Sequence, residues 1–290
     1  MITAIDGKAY AKLNLSLDVL GTLPGGWHEM KMVMQSVSLC DDLHIELNES
    51  GAVSMETNFG FLPRDGRNIA VKAAEAFFAA AGMSGCGAHI VLKKRIPVGA
   101  GLGGGSTDAA AVLRLLNELC GAGFSREKLE ELGGTLGSDV PFCIAGGTRL
   151  ATGRGEALSD LPPMPDCGFV ICKPRFSIKT PELFAKIDSR RSRIHPDTEG
   201  LISAIEAGDV PGVARRMYNV FEDVLPRRCG EVGVIKHRLL DAGALGAVMT
   251  GTGSAVFGIF ADLAAAERAA DGMKAYYRET FAARPVSLLR

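Results

Sequence analysis

Five glycines within the seven residues 99–105, running straight into Ser106-Thr107 and an apolar helical stretch to about Cys120, constrain this chain more than any other feature. Glycine has no Cβ and tolerates positive φ, but it raises the entropy of the unfolded chain. Such a cluster persists in a folded protein where backbone must come close to something. It is not isolated: of the 36 glycines in 290 residues, seventeen fall in the segments 99–105, 133–155 and 243–258. They lack the three-residue period of collagen. An apolar fraction of 47% with a net charge of −1 excludes both a flexible linker and a disordered chain.

Backbone N–H groups of a glycine loop can close round phosphate oxygens, and the helix that follows points its amino-terminal dipole at the same place. Three ligand classes compete for residues 99–107. Gly99-x-Gly101-x-x-Gly104 satisfies the spacing of the dinucleotide fingerprint, but it follows a strand ended by Pro97 and sits in no evident βαβ unit. A Walker A loop needs Lys-Ser/Thr after its last glycine, and here Gly105 precedes Ser106 directly. A non-Walker ATP loop is the third. Asp108, in the opening of the helix, would repel a neighbouring phosphate, which places phosphates over the glycines and Ser106.

The remaining composition narrows the partners. The 32 basic and 33 acidic residues balance, without a basic run, so nothing supports a nucleic-acid or membrane-surface role. Seven scattered cysteines contain no Cys-x-x-Cys and read as buried free thiols. Asp6, Lys8 and Lys12 interrupt any signal-peptide core, and no apolar run reaches the ~20 residues of a membrane span, so a cytoplasmic protein is expected. Five scattered histidines offer no zinc motif, and no metal site is expected.

Along the chain, residues 11–19 alternate, with Leu13, Leu15, Leu17 and Val19 facing one way and Lys12, Asn14, Ser16 and Asp18 the other. Strands are expected at 30–39, 43–47, 88–95 and 147–151. Helices are expected from an Asn68 cap to Ala81, from the glycine loop to Cys120, and from a Ser125 cap to about Leu132. After the proline-rich 161–165, a strand at 168–173 precedes a short helix over 181–187 capped by Thr180. Residues 199–242 read as helical with breaks, strands at 245–249 and 254–260 flank the third glycine cluster, and a helix runs from an Asp262 cap to Thr280. Mixed rather than alternating elements favour two α+β domains, divided as 1–160 and 161–290.

Pro97-x-x-x-Gly101-Leu102-Gly103-Gly104-Gly105-Ser106-Thr107 closely resembles the phosphate loop of the GHMP kinases. Three further segments are similar to one branch of that superfamily, whose acceptor is a methylerythritol carrying a cytidine diphosphate group. They are Ala11-Lys12-Leu13-Asn14-Leu15, Gly137-Ser138-Asp139-Val140-Pro141-Phe142 and Thr250-Gly251-Thr252-Gly253-Ser254.

The resemblance implies a two-domain fold, with an amino-terminal ATP-binding domain, a ferredoxin-like carboxy-terminal domain and the site in the cleft between them. It implies transfer of the γ-phosphoryl of ATP, with Mg²⁺, to a hydroxyl in the non-mevalonate isoprenoid pathway, by a monomer or weak homodimer. Asp139 would be the general base and Lys12 the active-site lysine, with Asn68, Lys94, Pro97, Gly99 and the loop through Thr107 on the nucleotide. Asn14, Trp27, His28, Phe184 and Thr252 would hold the acceptor. Trp27 stands where the family usually has tyrosine, keeping the ring that stacks on cytosine and losing the hydroxyl.

Each residue also has a plainer reading. Lys12 could be a solvated strand lysine, Asp139 a turn residue, Asn68 only a helix cap, Lys94 a solvated strand end, and Trp27 and Phe184 core residues. A homoserine- or mevalonate-type kinase, a dinucleotide-dependent oxidoreductase and a non-catalytic metabolite binder stay open at this level.

Overall fold

The alternation over 11–19 belongs to a twenty-residue strand, β1 (Ala4–Leu23), which turns back into an antiparallel partner of twenty-two, β2 (Trp27–Asn48). The computed structural model describes residues 3–190 and 194–287. β2 joins the two strands expected at 30–39 and 43–47. The single polar face expected on β1 does not exist. Register slips between Asn14 and Ser16, and an inserted residue reverses the face of every later side chain. Leu13 and Leu15 therefore pack with Phe169 and Phe257, whereas Leu17 and Val19 pack with Phe77 and Phe142. Lys12, Asn14, Ser16 and Asp18 are all buried, so none is a solvated face residue.

Among the described residues, β1 and β2 centre a seven-stranded sheet with β3 (Val53–Thr57), β4 (Gly87–Lys93), β5 (Thr148–Thr152), β6 (Ala157–Asp160) and β8 (Tyr218–Asn219). Its path is β3-β4-β2-β1-β8, with β5 on β2 and β6 on β5. Four helices, α1 (Ile69–Ala80), α2 (Gly104–Leu119), α3 (Arg126–Leu136) and α4 (Val140–Ala145), contribute Phe77, Leu113, Leu129 and Phe142 to the same core as Leu17, Met34 and Ile90 of the sheet. Asn68 caps α1 by accepting the Ala70 N–H at 3.0 Å, and Ser125 caps α3 through Lys128. α3 passes Leu132 because Gly133 lets α4 approach: a Cβ there would lie 2.7 Å from Ile144 Cδ1.

The second half builds a four-stranded antiparallel sheet, β11-β7-β10-β9, the ferredoxin-like order. Its strands are β7 (Gly168–Lys173), β9 (Gly246–Met249), β10 (Val256–Phe260) and β11 (Glu279–Ala283). α5 (Thr180–Asp188), α6 (Thr198–Glu206), α7 (Val210–Arg216) and α8 (Glu231–Asp241) lie between β7 and β9, and α9 (Leu263–Met273) between β10 and β11.

The reading of 199–242 as helical with breaks holds in α6, α7 and α8, and one of the breaks is β8, which exists by pairing with β1 at Ser16 and Leu17. Two expectations fail here for physical reasons. The last helix stops at Met273, and Glu279–Ala283, expected in part as helix, becomes a strand against β7. Thr180 is the first residue of α5 rather than its cap, so its hydroxyl is free for another partner. β8 and the bridge between Val37 and Pro285 tie the second half into the first sheet. No helix among the described residues is long and apolar enough to cross a membrane.

Candidate active site

The glycine loop is held open by its neighbours. Gly99, Gly101 and Gly103 have φ of 64°, 79° and 70°, the left-handed region that side chains resist. A Cβ on Gly101 would sit 2.2 Å from Thr250 O, and one on Gly103 2.9 Å from Lys12 Cγ. β1 grips the loop where Lys12 N–H donates to Leu102 O at 3.1 Å, and the third glycine cluster grips it where Ala255 N–H donates to Ala100 O at 3.0 Å. Gly103 is the N-cap of α2 and has no side chain to offer, while Thr107 N–H makes the bond back to Gly103 O. The N–H groups of Gly104, Gly105 and Ser106 thus have no intrahelical partner, and a helix N-terminus of this kind can accept an anion.

Two cavities meet on this loop. One, of about 500 Å³, is lined by Leu62, Pro63, Asn68, Ile69, Ile96 to Ser106 and Ile178. The other, of about 710 Å³, is lined by Lys12, Trp27, His28, Met32, Asp139, Arg154 and Phe184 among others. Gly101, Gly103, Ser106, Thr180 and Thr252 line both, so a group held on the loop is within reach of either chamber. Thr252 and Thr180 join hydroxyls at 2.8 Å, which fastens α5 to the third glycine turn at this junction.

Lys12 and Asp139 stand in the larger cavity, with Nζ 3.5 Å from Oδ2. Asp139 is the N-cap of α4 but makes no capping bond, so its carboxylate is left to Lys12 and to the cavity. Lys12 is 4% exposed and donates to Asn14 Oδ1 at 2.7 Å. Asn14, expected to bind the acceptor, is fully buried, with its amide engaged by Lys12 and by Met32 Sδ at 3.4 Å. Its carbonyl accepts from the Lys12 ammonium, and the residue lines neither of the two cavities.

Other expected residues are placed unevenly. Thr107 is buried, and its hydroxyl donates to Tyr10 O at 2.5 Å, so it fastens α2 to β1. Asn68 does both jobs, capping α1 and lining the smaller cavity. Lys94 is no solvated strand end. Its ammonium is buried between Asp41 at 2.5 Å and Asp108 at 2.7 Å, and it donates to Gly104 O at 3.3 Å beneath the loop. Burial opposes that charge, but Asp108 and Asp41 outweigh it and raise its pKa. Burial also pushes the Asp108 carboxyl well above the usual carboxylate range, against the pull of Lys94.

At the far end of the larger cavity, His28 stacks on Phe184 with centroids 4.2 Å apart, and its Nε2 lies 2.9 Å from Asp188 Oδ1. Trp27 is half exposed, and the Arg154 guanidinium lies 5.0 Å from its ring centroid. Arg154 and Asp188 are the residues sequence reading passes over. Only the flanking glycines at 153 and 155 hint at Arg154, by marking a tight turn.

Family models for the amino-terminal and carboxy-terminal domains of GHMP kinases match residues 68–147 and 201–279. A 4-diphosphocytidyl-2-C-methyl-D-erythritol kinase of Pelotomaculum thermopropionicum is 46% identical over 97% of this chain and 95% of its own length. One of Clostridium botulinum is 40% identical over 96% and 99%.

The chain belongs to the GHMP kinases, in the family of 4-diphosphocytidyl-2-C-methyl-D-erythritol kinases.

A crystal structure of another member of that family superposes with a TM-score of 0.83 at 33% identity, covering 98% of this chain and all of that one. A Cytophaga hutchinsonii homoserine kinase, with a TM-score of 0.75 at 20% identity, shares the GHMP fold. In this GHMP kinase the two cavities therefore sit in a family fold, with the glycine loop at their junction.

Proposed function

We propose that this GHMP kinase transfers the γ-phosphoryl group of ATP to a hydroxyl of 4-diphosphocytidyl-2-C-methyl-D-erythritol, giving the 2-phosphate and ADP in the non-mevalonate isoprenoid pathway. The observation that carries it is the junction: a glycine loop with free N–H groups is shared by two chambers, and Lys12 and Asp139 stand on the acceptor side. The smaller chamber takes adenine and ribose among Leu62, Ile69, Ile96 and Ile178, and the loop takes the phosphates. The larger takes the acceptor, with cytosine near Trp27, His28 and Phe184. Stacking on an aromatic ring is worth about 1–3 kcal/mol per base.

In this reading Asp139 orients the acceptor hydroxyl for in-line attack and takes its proton as the bond to phosphorus forms, an effect of ~10²–10⁴-fold. Lys12, steered by Asn14, stabilises negative charge on the moving phosphoryl group. Lys94 stiffens the loop from below through Gly104. Mg²⁺ bound with the nucleotide would supply neutralisation of the phosphate charge. The Ser106 hydroxyl on the loop would offer it a hard oxygen, and no group of three or more His, Cys, Asp or Glu that could hold a metal stands among the described residues. Residues 1–160 then form the ATP-binding domain and 161–290 the ferredoxin-like one, in a cytoplasmic monomer or weak homodimer without nucleic-acid or membrane partners.

A coupled ADP-release assay with alternative alcohols tests the reading. Turnover is expected with the cytidyl acceptor and not with mevalonate or homoserine. The reverse pattern would overturn it.

A further inference from the structure

Of the basic residues lining the acceptor cavity, two are engaged at its ends: Lys12 by Asn14 and Asp139, and His28 by Asp188. Arg154 is the third. It lies in a tight turn between β5 and β6, flanked by Gly153 and Gly155 with φ of 67° and 108°. The turn is fixed to the acceptor-site strand, because Met30 N–H donates to Gly153 O at 2.7 Å. The φ of 108° makes any side chain at Gly155 strained, and a Cβ there would stand 3.0 Å from Met32 Cε, so the turn packs closely on β2. The guanidinium is thereby presented over Trp27, its centre 5.0 Å from the ring centroid. Its ionic partner, Glu156, is at 3.4 Å, and both side chains are substantially exposed, which makes that pair weak.

We propose that Arg154 is the diphosphate-recognising residue of the acceptor site, and that it caps Trp27 until a cytosine base displaces it. The inference rests on the function proposed above. A cytidine diphosphate ester brings a flat π system and two phosphate charges. Trp27 offers the face, and the adjoining guanidinium offers the planar fork that binds phosphate oxygens in pairs. In the free protein the cation covers the ring. With the base on Trp27, the same side chain turns from the ring to the phosphates. Arg154 lines only the acceptor cavity and not the nucleotide one, so it acts on acceptor affinity and not on ATP.

Trp27 is the sole tryptophan, so its fluorescence reports this site alone. The experiment titrates cytidine and CDP into the wild type, Arg154→Gln and Arg154→Lys, and measures KM for the cytidyl acceptor and for ATP. Arg154→Gln should weaken CDP by about 10–100-fold, the loss of a charge-assisted hydrogen bond. Cytidine should stay within about threefold, acceptor KM should rise in step with the CDP loss, and the KM for ATP should not follow. Arg154→Lys should recover part of the loss. With a wild type that binds CDP and turns over the acceptor, equal weakening of cytidine and CDP by Arg154→Gln, or weakening of neither, overturns this inference alone. A wild type whose Trp27 responds to neither ligand and which does not turn over the acceptor overturns the proposed function and this inference with it.

Discussion

Thr250 accepts the backbone N–H of Asn14 at 3.1 Å, across 236 positions of sequence. Its single hydroxyl proton faces Gly101 O at 3.3 Å and Asn14 Oδ1 at 3.4 Å. One buried hydroxyl thus joins β1, the glycine loop and the third glycine turn.

Thr250→Val keeps the shape of that side chain and removes its hydrogen bonds. The buried Asn14 N–H then loses its partner, which should cost about 1–3 kcal/mol by denaturant unfolding. Because Asn14 steers Lys12, kcat should fall by about 10-fold while the fold survives. A stable variant with wild-type kcat would mean that the turn is structural only.

Glycine-to-alanine changes should have opposite signs at two sites. At Gly101 the new Cβ meets Thr250 O at 2.2 Å with φ at 79°, so stability should drop by ~1–3 kcal/mol and KM for ATP should rise. Gly272, inside α9, has nothing within 4 Å of the same atom, so Gly272→Ala should stabilise by about 0.5–1 kcal/mol. Thermal unfolding of both variants checks the pair.

Lys94→Met would leave the Asp41 and Asp108 carboxylates buried together without a cation. A loss of about 3–5 kcal/mol is expected. Asp108→Asn in the same background removes one of the two charges and should restore part of the stability. Failure of the second change to help would show that repulsion between the two carboxylates is not what destabilises Lys94→Met.

Burial pushes the thiols of Cys143 and Cys167 up to about 12 and that of Cys172 up to about 11. A free thiol titrates near 8.5. The unfolded chain therefore loses these protons first, the folded state binds more of them, and stability falls as pH rises from roughly 8.5 toward 11. The slope is about 1.4 kcal/mol per thiol per pH unit. Urea unfolding between pH 7.5 and 10 should show this decline, and Cys172→Ala should make it shallower. Parallel declines would contradict the assignment.

Much of this was legible in the sequence where the determinant is local. The Asn68, Ser125 and Asp262 caps each accept a backbone N–H near the helix start, and β7 occupies 168–173 as its apolar run implies. The left-handed turns of residues 99–103 read directly from their glycines. What escaped depends on distant partners. The bulge at Asn14 and Ser16 is set by pairing with β2, and β8 has two residues that are a strand only beside β1. Tyr276-Tyr277-Arg278 looked like helix until β7 claimed the residues after it. In the site, Asp139 and Lys12 meet as the resemblance implied. The engagement of Asn14 and Thr107, and the Arg154 guanidinium over Trp27, are products of packing.

The central claim is that Asp139, beside Lys12, activates the acceptor hydroxyl. The direct measurement is steady-state turnover of the cytidyl acceptor by wild type and Asp139→Asn, with CDP affinity followed through Trp27. The account predicts a fall in kcat of about 10²–10⁴-fold with CDP binding retained. Turnover within a few-fold of wild type would contradict it.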